Sequence, residues 1–437
     1  MSMLSEELNF FATTDHDFRA DYQPVIDSLG ATALIGTTPG QEITTFDYGH
    51  FNVWPAEIDP TKINNGSVDH GGAAPDGQDY PSAGYYSSPP VQIIADAHAA
   101  APGASNTVQV NHIHSHFGVD GGSGLGIDTA LEPPASTVPP AARRLNPGIT
   151  NLFSDTFDAL EIWIGDNREQ IVTNFLGTNA GDWFNLINQG IVRTGVADSD
   201  THTRYGNGGS YPRNMIAMAT DDPGDLSAAA DTVSANLNAG RSFGTNGPMV
   251  RVSVNAASTG QTASLALGDP LEIATVDGEV DIDVDIQSPT WAEFDTVEYY
   301  INPVTTRVVE EDVQTGAGLI DVNRYTITPT TVQNVVPVPV PVMGTSSSRL
   351  EASTSLHLTG LTDDIWVVVM VKGSEGVSRP LYPVIGLSLK TSTNTTLANL
   401  TDGNLGELGI PALAFTNPLF VDVDGGGWTP PGVQVNP

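Results

Sequence analysis

Short apolar runs in the first half of the chain end repeatedly in residues suited to holding a metal ion. Asp15 and His16 follow such a run in ATTDHD, Glu42 lies in GQEITT and His50 in YGHFN. His112 lies in VQVNHIHSH, and Asp200 and His202 lie in DSDTH. Imidazole and carboxylate together suit Zn²⁺, Mn²⁺ or Fe²⁺. A carboxylate can bridge two ions, and paired ions share a hydroxide that is nucleophilic near neutral pH. The chain has no cysteine, which points away from a closed thiolate zinc site and toward an open, catalytic one. A single histidine after a strand is more often a hydrogen-bonded structural residue. The argument therefore rests on the ordered set, with the Asp200-x-His202 pair its strongest local element.

Other polar residues compete for a role. His114 and His116 form an H-x-H, and on a strand both would share a face and could reach one ion. His70 sits in a Gly/Asp-rich loop and His98 on a helical segment, so neither is expected in the site. Arg213, in YPRN, follows the D-x-H by a short loop. It could orient an anionic substrate or a developing oxyanion, or simply form an ion pair in an acidic protein. Asp422 and Asp424 in VDVDGGG resemble half of a calcium loop, but the later acidic ligand is missing and a tight turn is the expected reading.

The elements that must position these residues read as alternating strands and helices over residues 1–249. NFFATT, ATALIGT, QEITT, HFNVW, TVQVNH, FDALEIWIG and IVRTGVADSD read as strands. Residues 2–8, 22–29, VQIIADAHAAA and 181–190 read as helices, the last stopped by Gly190. Alternation of this kind predicts parallel βα units with the polar residues at the C-terminal strand edge. GRSFGTNGP (240–248) is turn-rich, and beyond it residues 250–437 become β in character. VDIDVDI alternates strictly, and TVEYYIN, HLTGL and IWVVVMVKG continue the theme, predicting a β-sandwich-like domain. VVPVPVPVMGTSSS (335–348) cannot be a central strand, because alternate prolines remove the ladder donors; an extended or edge segment is expected.

Composition narrows the function classes. With 437 residues and 39% hydrophobic content, the chain can build more than one core. A formal net charge of −35 opposes nucleic-acid and anionic-membrane partners. No apolar run approaches the roughly 18 residues of a membrane span, and no signal peptide is visible in the given chain. A secreted or periplasmic location would need a signal segment further upstream.

The ordered motifs resemble the PHP (polymerase and histidinol phosphatase) superfamily of metal-dependent hydrolases, and most closely its carbaryl-hydrolase-like branch. ATTDHD, GQEITTFDYGHFNVWP, VQVNH, FDALEIWIG, DWFNLINQG, GVADSDTH, GRSFGTNGP and the C-terminal FTNPLFVDVDGGG carry the resemblance, in order, over most of the chain. The resemblance implies a distorted (β/α)7 barrel with up to three metal ions. It implies Glu42 as a bridging carboxylate, with His50 and His112 on one ion and His16 and His202 on another. Asp200 would help hold a further ion, and Asp15 would orient a ligand. His112 matches the family's N-H-P motif, which leaves His114 and His116 outside the ligand set. The family's first H-x-H motif is not found, so an N-terminally truncated barrel with an open seam is expected.

The resulting expectation is a metal-dependent hydrolase, with Zn, Mn or Fe, in which a metal-bound hydroxide attacks a phosphoester or a carboxylic or carbamate ester. Glu42, Asp15 and Arg213 are its candidate catalytic residues. His16, Glu42, His50, His112, Asp200 and His202 are its candidate metal ligands. The alternative is a non-catalytic binding or surface protein with a degenerate barrel and a β-sandwich binding module.

Overall fold

The computed structural model describes residues 2–5, 7–45, 48–70, 88–113, 125–137, 152–165, 170–202, 211–311, 321–373 and 410–437. The strands that carry the motifs are Phe10–Thr13 (β1), Gly36–Pro39 (β2), Gln41–Thr44 (β3), His50–Trp54 (β4), Thr107–Val110 (β5), Ala159–Ile164 (β6) and Thr194–Asp198 (β7). β3 to β7 form a five-stranded sheet in chain order. β1 and β2 pair in parallel beside it, linked by a bridge between His16 and Glu42. β5 is buried throughout and β6 through its first five residues, because both faces of the sheet are covered. Helix Pro90–His98 contributes Ile93, Ile94 and Ala97 to the core, and every residue of helix Ala180–Asn188 is buried.

The expected (β/α)7 barrel is not evident. The described residues are mostly β, with 37% strand against 17% helix, in several separate sheets. β3, β4 and β5 are joined antiparallel, which βα units cannot produce; within this sheet only the β5/β6 and β6/β7 pairings are parallel. The next two strands, Arg213–Ile216 (β8) and Ser242–Thr245 (β9), do not continue this sheet. They pair antiparallel with each other, and β9 pairs with Leu413–Thr416. ATALIGT is not a strand over its length. Ala31 closes a turn by accepting from Leu34 N at 2.8 Å, Leu34 is exposed, and the strand begins only at Gly36.

β8 and β9 instead form one end of an eight-stranded sheet that continues through Leu413–Thr416, Ile365–Lys372, Thr296–Ile301 and Thr331–Asn334. A second sheet of five strands includes Met249–Ala256, Val280–Pro289 and Ser348–Leu358, and ends at Val338–Pro341. The two sheets face each other across a core in which Val252, Val254, Ile282 and Val284 meet Val297, Val367, Val369 and Val371. The intervening residues Trp366, Val368 and Met370 lie in another core with Trp163, Phe175, Trp183 and Phe184. Period-two alternation thus lets Ile365–Lys372 serve both cores, which explains its unbroken apolar sequence. Among the described residues no helix is long and apolar enough to cross a membrane.

Candidate metal centre

Glu42 on β3 lies at the centre of a group of histidines delivered by neighbouring strand ends. His50, at the start of β4, places Nδ1 2.9 Å from Glu42 Oε1. His112, two residues beyond β5, places Nε2 3.4 Å from the same oxygen. His16 follows β1, and its Nδ1 lies 3.4 Å from Glu42 Oε2 and 2.5 Å from Thr44 Oγ1. His202, four residues beyond β7, stacks on His16 with ring centroids 5.3 Å apart and planes within 9°. Asp200 Oδ1 lies 2.9 Å from His202 Nε2. All six sequence-derived ligand candidates are therefore in one neighbourhood. The tightest subset is His16, Glu42 and His50, whose ligand atoms lie within 4.8 Å of one another.

The site has a closed floor and an open mouth. Side-chain exposure rises from 6% at Glu42 through 22% at His112 and 26% at His50 to 46% at His16 and 55% at His202. The stacked His16–His202 pair is the exposed side of the group. The backbone is strained around the site: Asp17, His112 and Asp200 have φ of 49°, 49° and 46°. Such left-handed conformations cost about 1–3 kcal/mol each for non-glycine residues and cluster at functional sites.

The electrostatics favour a cation. Burial would raise the Glu42 carboxyl, but hydrogen bonds from His112 and His50 hold it well below the usual carboxylate range. Burial likewise opposes charge on His112, yet Glu161 and Glu42 together hold its pKa well above the ordinary imidazole value. Ring nitrogens and carboxylate oxygens facing one small volume fit a borderline divalent ion, and the contacts that now pair them are those such an ion would replace.

The other two candidates each contact a tyrosine. The Asp15 carboxylate accepts from Tyr22 Oη at 3.3 Å, while its backbone carbonyl accepts from Glu42 N. The Arg213 guanidinium lies over the Tyr211 ring, 4.5 Å from its centroid. His98 is bonded to Asn106 and the Thr156 carbonyl, and His70 pairs with Asp17 at 3.3 Å. His114 and His116 lie outside the described residues. Asp422 forms a turn with its own backbone: Oδ1 accepts from Asp424 N and Gly425 N, and Oδ2 from Gly427 N. Neighbouring Asp364 accepts from Val423 N and Thr429 N. With Asp424, which accepts from Gly426 N, these carboxylates bring ligand-type oxygens within 4.8 Å of one another.

Sequence reasoning missed a second layer. Glu161, on β6, accepts from His112 N at 2.6 Å and His112 Nδ1 at 2.8 Å. Asn111 Nδ2 donates to Glu42 Oε1 at 3.2 Å, and Gln109 Nε2 donates to Asn111 Oδ1 and Asp198 Oδ2. The available signal was a lone acid within the otherwise apolar ALEIWI, since a charge on a fully buried strand requires a partner. A cavity of about 260 Å³ lined by Arg19, Glu57, Lys62 and Asp96 includes none of these histidines. No family model, curated protein or solved structure matches the chain.

Proposed function

We propose that this chain is a metal-dependent hydrolase of phosphoesters or of carboxylic or carbamate esters. The observation that carries the reading is the gathering of His16, His50 and His112 around the buried Glu42. The motifs that resemble the PHP superfamily contain these same residues. His16, Glu42 and His50 would hold a divalent ion, with His112 Nε2 beside Glu42 and His202 stacked on His16. A bound ion would supply Lewis acidity toward the scissile oxygen and lower the pKa of a water to near neutrality.

The chain's own residues divide the remaining work. Glu42 balances the ion's charge from the closed floor of the site, and His16 and His202 line the open side where the scissile group enters. The exposed mouth admits small ester or phosphoester substrates. Elemental analysis of purified protein, beside hydrolysis of nitrophenyl phosphate and nitrophenyl ester panels with and without chelator, tests the reading. Bound Zn, Mn or Fe and chelator-sensitive turnover are expected. A chain without transition metal and without metal-dependent turnover would sink it. His112→Ala should lower metal occupancy about 10-fold or more, whereas His116→Ala should leave it unchanged; equal losses would place His116 among the ligands.

A further inference from the structure

We propose that Glu161 is a positioning residue that commits His112 Nδ1–H to its own carboxylate and thereby presents Nε2 to the ion-binding volume beside Glu42. The inference rests on the metal reading above and concerns a residue outside the ligand set.

Three observations carry it. Glu161 Oε2 takes both the backbone N–H and the Nδ1 of His112, at 2.6 and 2.8 Å, so one oxygen fixes the residue at two points. The left-handed backbone of His112, with φ of 49°, is what lets both groups converge on that oxygen. With Nδ1 occupied, the opposite ring nitrogen is the one left facing Glu42 Oε1, at 3.4 Å. The two nitrogens of an imidazole are distinct, and the bond made by one decides which is free to ligate.

Burial makes the arrangement specific. Glu161 is 2% exposed and lies in a strand whose other residues are aliphatic or aromatic. An unpaired carboxylate there would cost several kcal/mol, so His112 is the partner that makes its burial tolerable. Glu42 is held in a parallel manner by Asn111, itself bonded by Gln109. The ligands are thus oriented from behind by side chains that face away from the mouth.

The test measures Zn²⁺ affinity of the full chain by competition with a chromophoric chelator, for the unchanged protein, Glu161→Met and Glu161→Gln. Methionine fills similar volume without an acceptor of comparable strength, whereas the glutamine amide oxygen can still accept both N–H groups. Glu161→Met should weaken Zn²⁺ binding about 10- to 100-fold, with Glu161→Gln recovering part of the loss. A second readout is the ring Nδ1–H of His112 in ¹⁵N spectra of the zinc-loaded protein, assigned by its absence in His112→Ala. The signal should persist in Glu161→Gln, and disappear into solvent exchange in Glu161→Met. If Glu161→Met does not fold, loss of the signal in Glu161→Gln overturns the proposal and its persistence supports it. Affinities of both variants within twofold of the unchanged chain overturn the role of Glu161 and leave the metal reading standing. An unchanged chain that takes up no Zn²⁺ overturns the metal reading and this inference with it.

Discussion

Asp198 shows how a single side chain records the site's electrostatics. Its carboxyl is pushed up to about 7, by burial first and then by the negative charge of Glu161, against hydrogen bonds from Gln109 and Asn214. An unfolded aspartate titrates near 3.9, so between roughly pH 4 and 7 the folded metal-free protein holds a proton that the unfolded chain has released. The unfolded state binds fewer protons there, and stability falls as pH rises through that window. Asp198→Asn should remove this component. Urea unfolding in chelator should show a smaller loss of stability from pH 5 to pH 8 in the variant than in the unchanged chain. Identical pH dependence would mean that Asp198 is not enclosed as the structure has it. At this scale the four histidine candidates stood out because histidine is scarce and eight of the nine lie at or before His202, and Glu42 and Asp200 stood out through the motifs beside them. Glu161, Gln109, Asn111 and Asp198 did not, because their roles exist only across strands. Nothing local to ALEIWI says that Glu161 will meet a histidine about fifty residues earlier in the chain.

Helix Ala180–Asn188 illustrates what element-level reading captures and what it misses. Its extent and its stop at Gly190 follow from apolar periodicity and the glycine's positive φ of 81°. Its packing partner does not. Gly181 lies against strand Asp321–Thr326, and an ideal Cβ there would sit 1.7 Å from the Tyr325 carbonyl oxygen. Gly181→Ala gains about 1 kcal/mol in helix propensity. The clash is with backbone, which cannot rotate aside, and overpacking of this kind costs about 1–3 kcal/mol or more. The variant should therefore be less stable, seen as a lower urea midpoint; an equal or higher midpoint would show that the helix and strand are further apart. The failed barrel expectation has the same origin. Strand–helix alternation was visible over residues 1–249, but the pairing of Ser242–Thr245 with Leu413–Thr416 spans about 170 residues and leaves no periodic trace. An apolar run such as ATALIGT also cannot by itself distinguish a buried strand from a turn that leaves Leu34 in water.

Across the whole molecule, the site-bearing sheet and the β-rich part are joined through packing. Trp183 lies 6.0 Å from Phe415 and Phe184 5.0 Å from Trp366, ring centre to ring centre. Trp366 Nε1 donates to Asn188 Oδ1, and Asn417 bonds both the N–H and the carbonyl of Gly195 on β7. The sequence places a boundary near 249/250, whereas this core runs across it, and β8 and β9 depend on Leu413–Thr416 and Ile365–Lys372 for their place in a sheet. A chain ending at residue 249 would expose Trp183 and Phe184, each worth about 3–5 kcal/mol on the scale of aromatic-to-alanine core substitutions. Those losses alone are comparable with the roughly 5–15 kcal/mol that stabilises a folded domain. The fragment should therefore lose cooperative unfolding and near-ultraviolet dichroism, and bind an exposed-apolar dye such as ANS. It should also lose Zn²⁺ affinity although it contains every candidate ligand, because β6 and β7 position Glu161, Asp200 and His202 only while their apolar backing is in place. A fragment of residues 1–249 that unfolds cooperatively and binds Zn²⁺ as tightly as the full chain would show that the site-bearing sheet is self-sufficient.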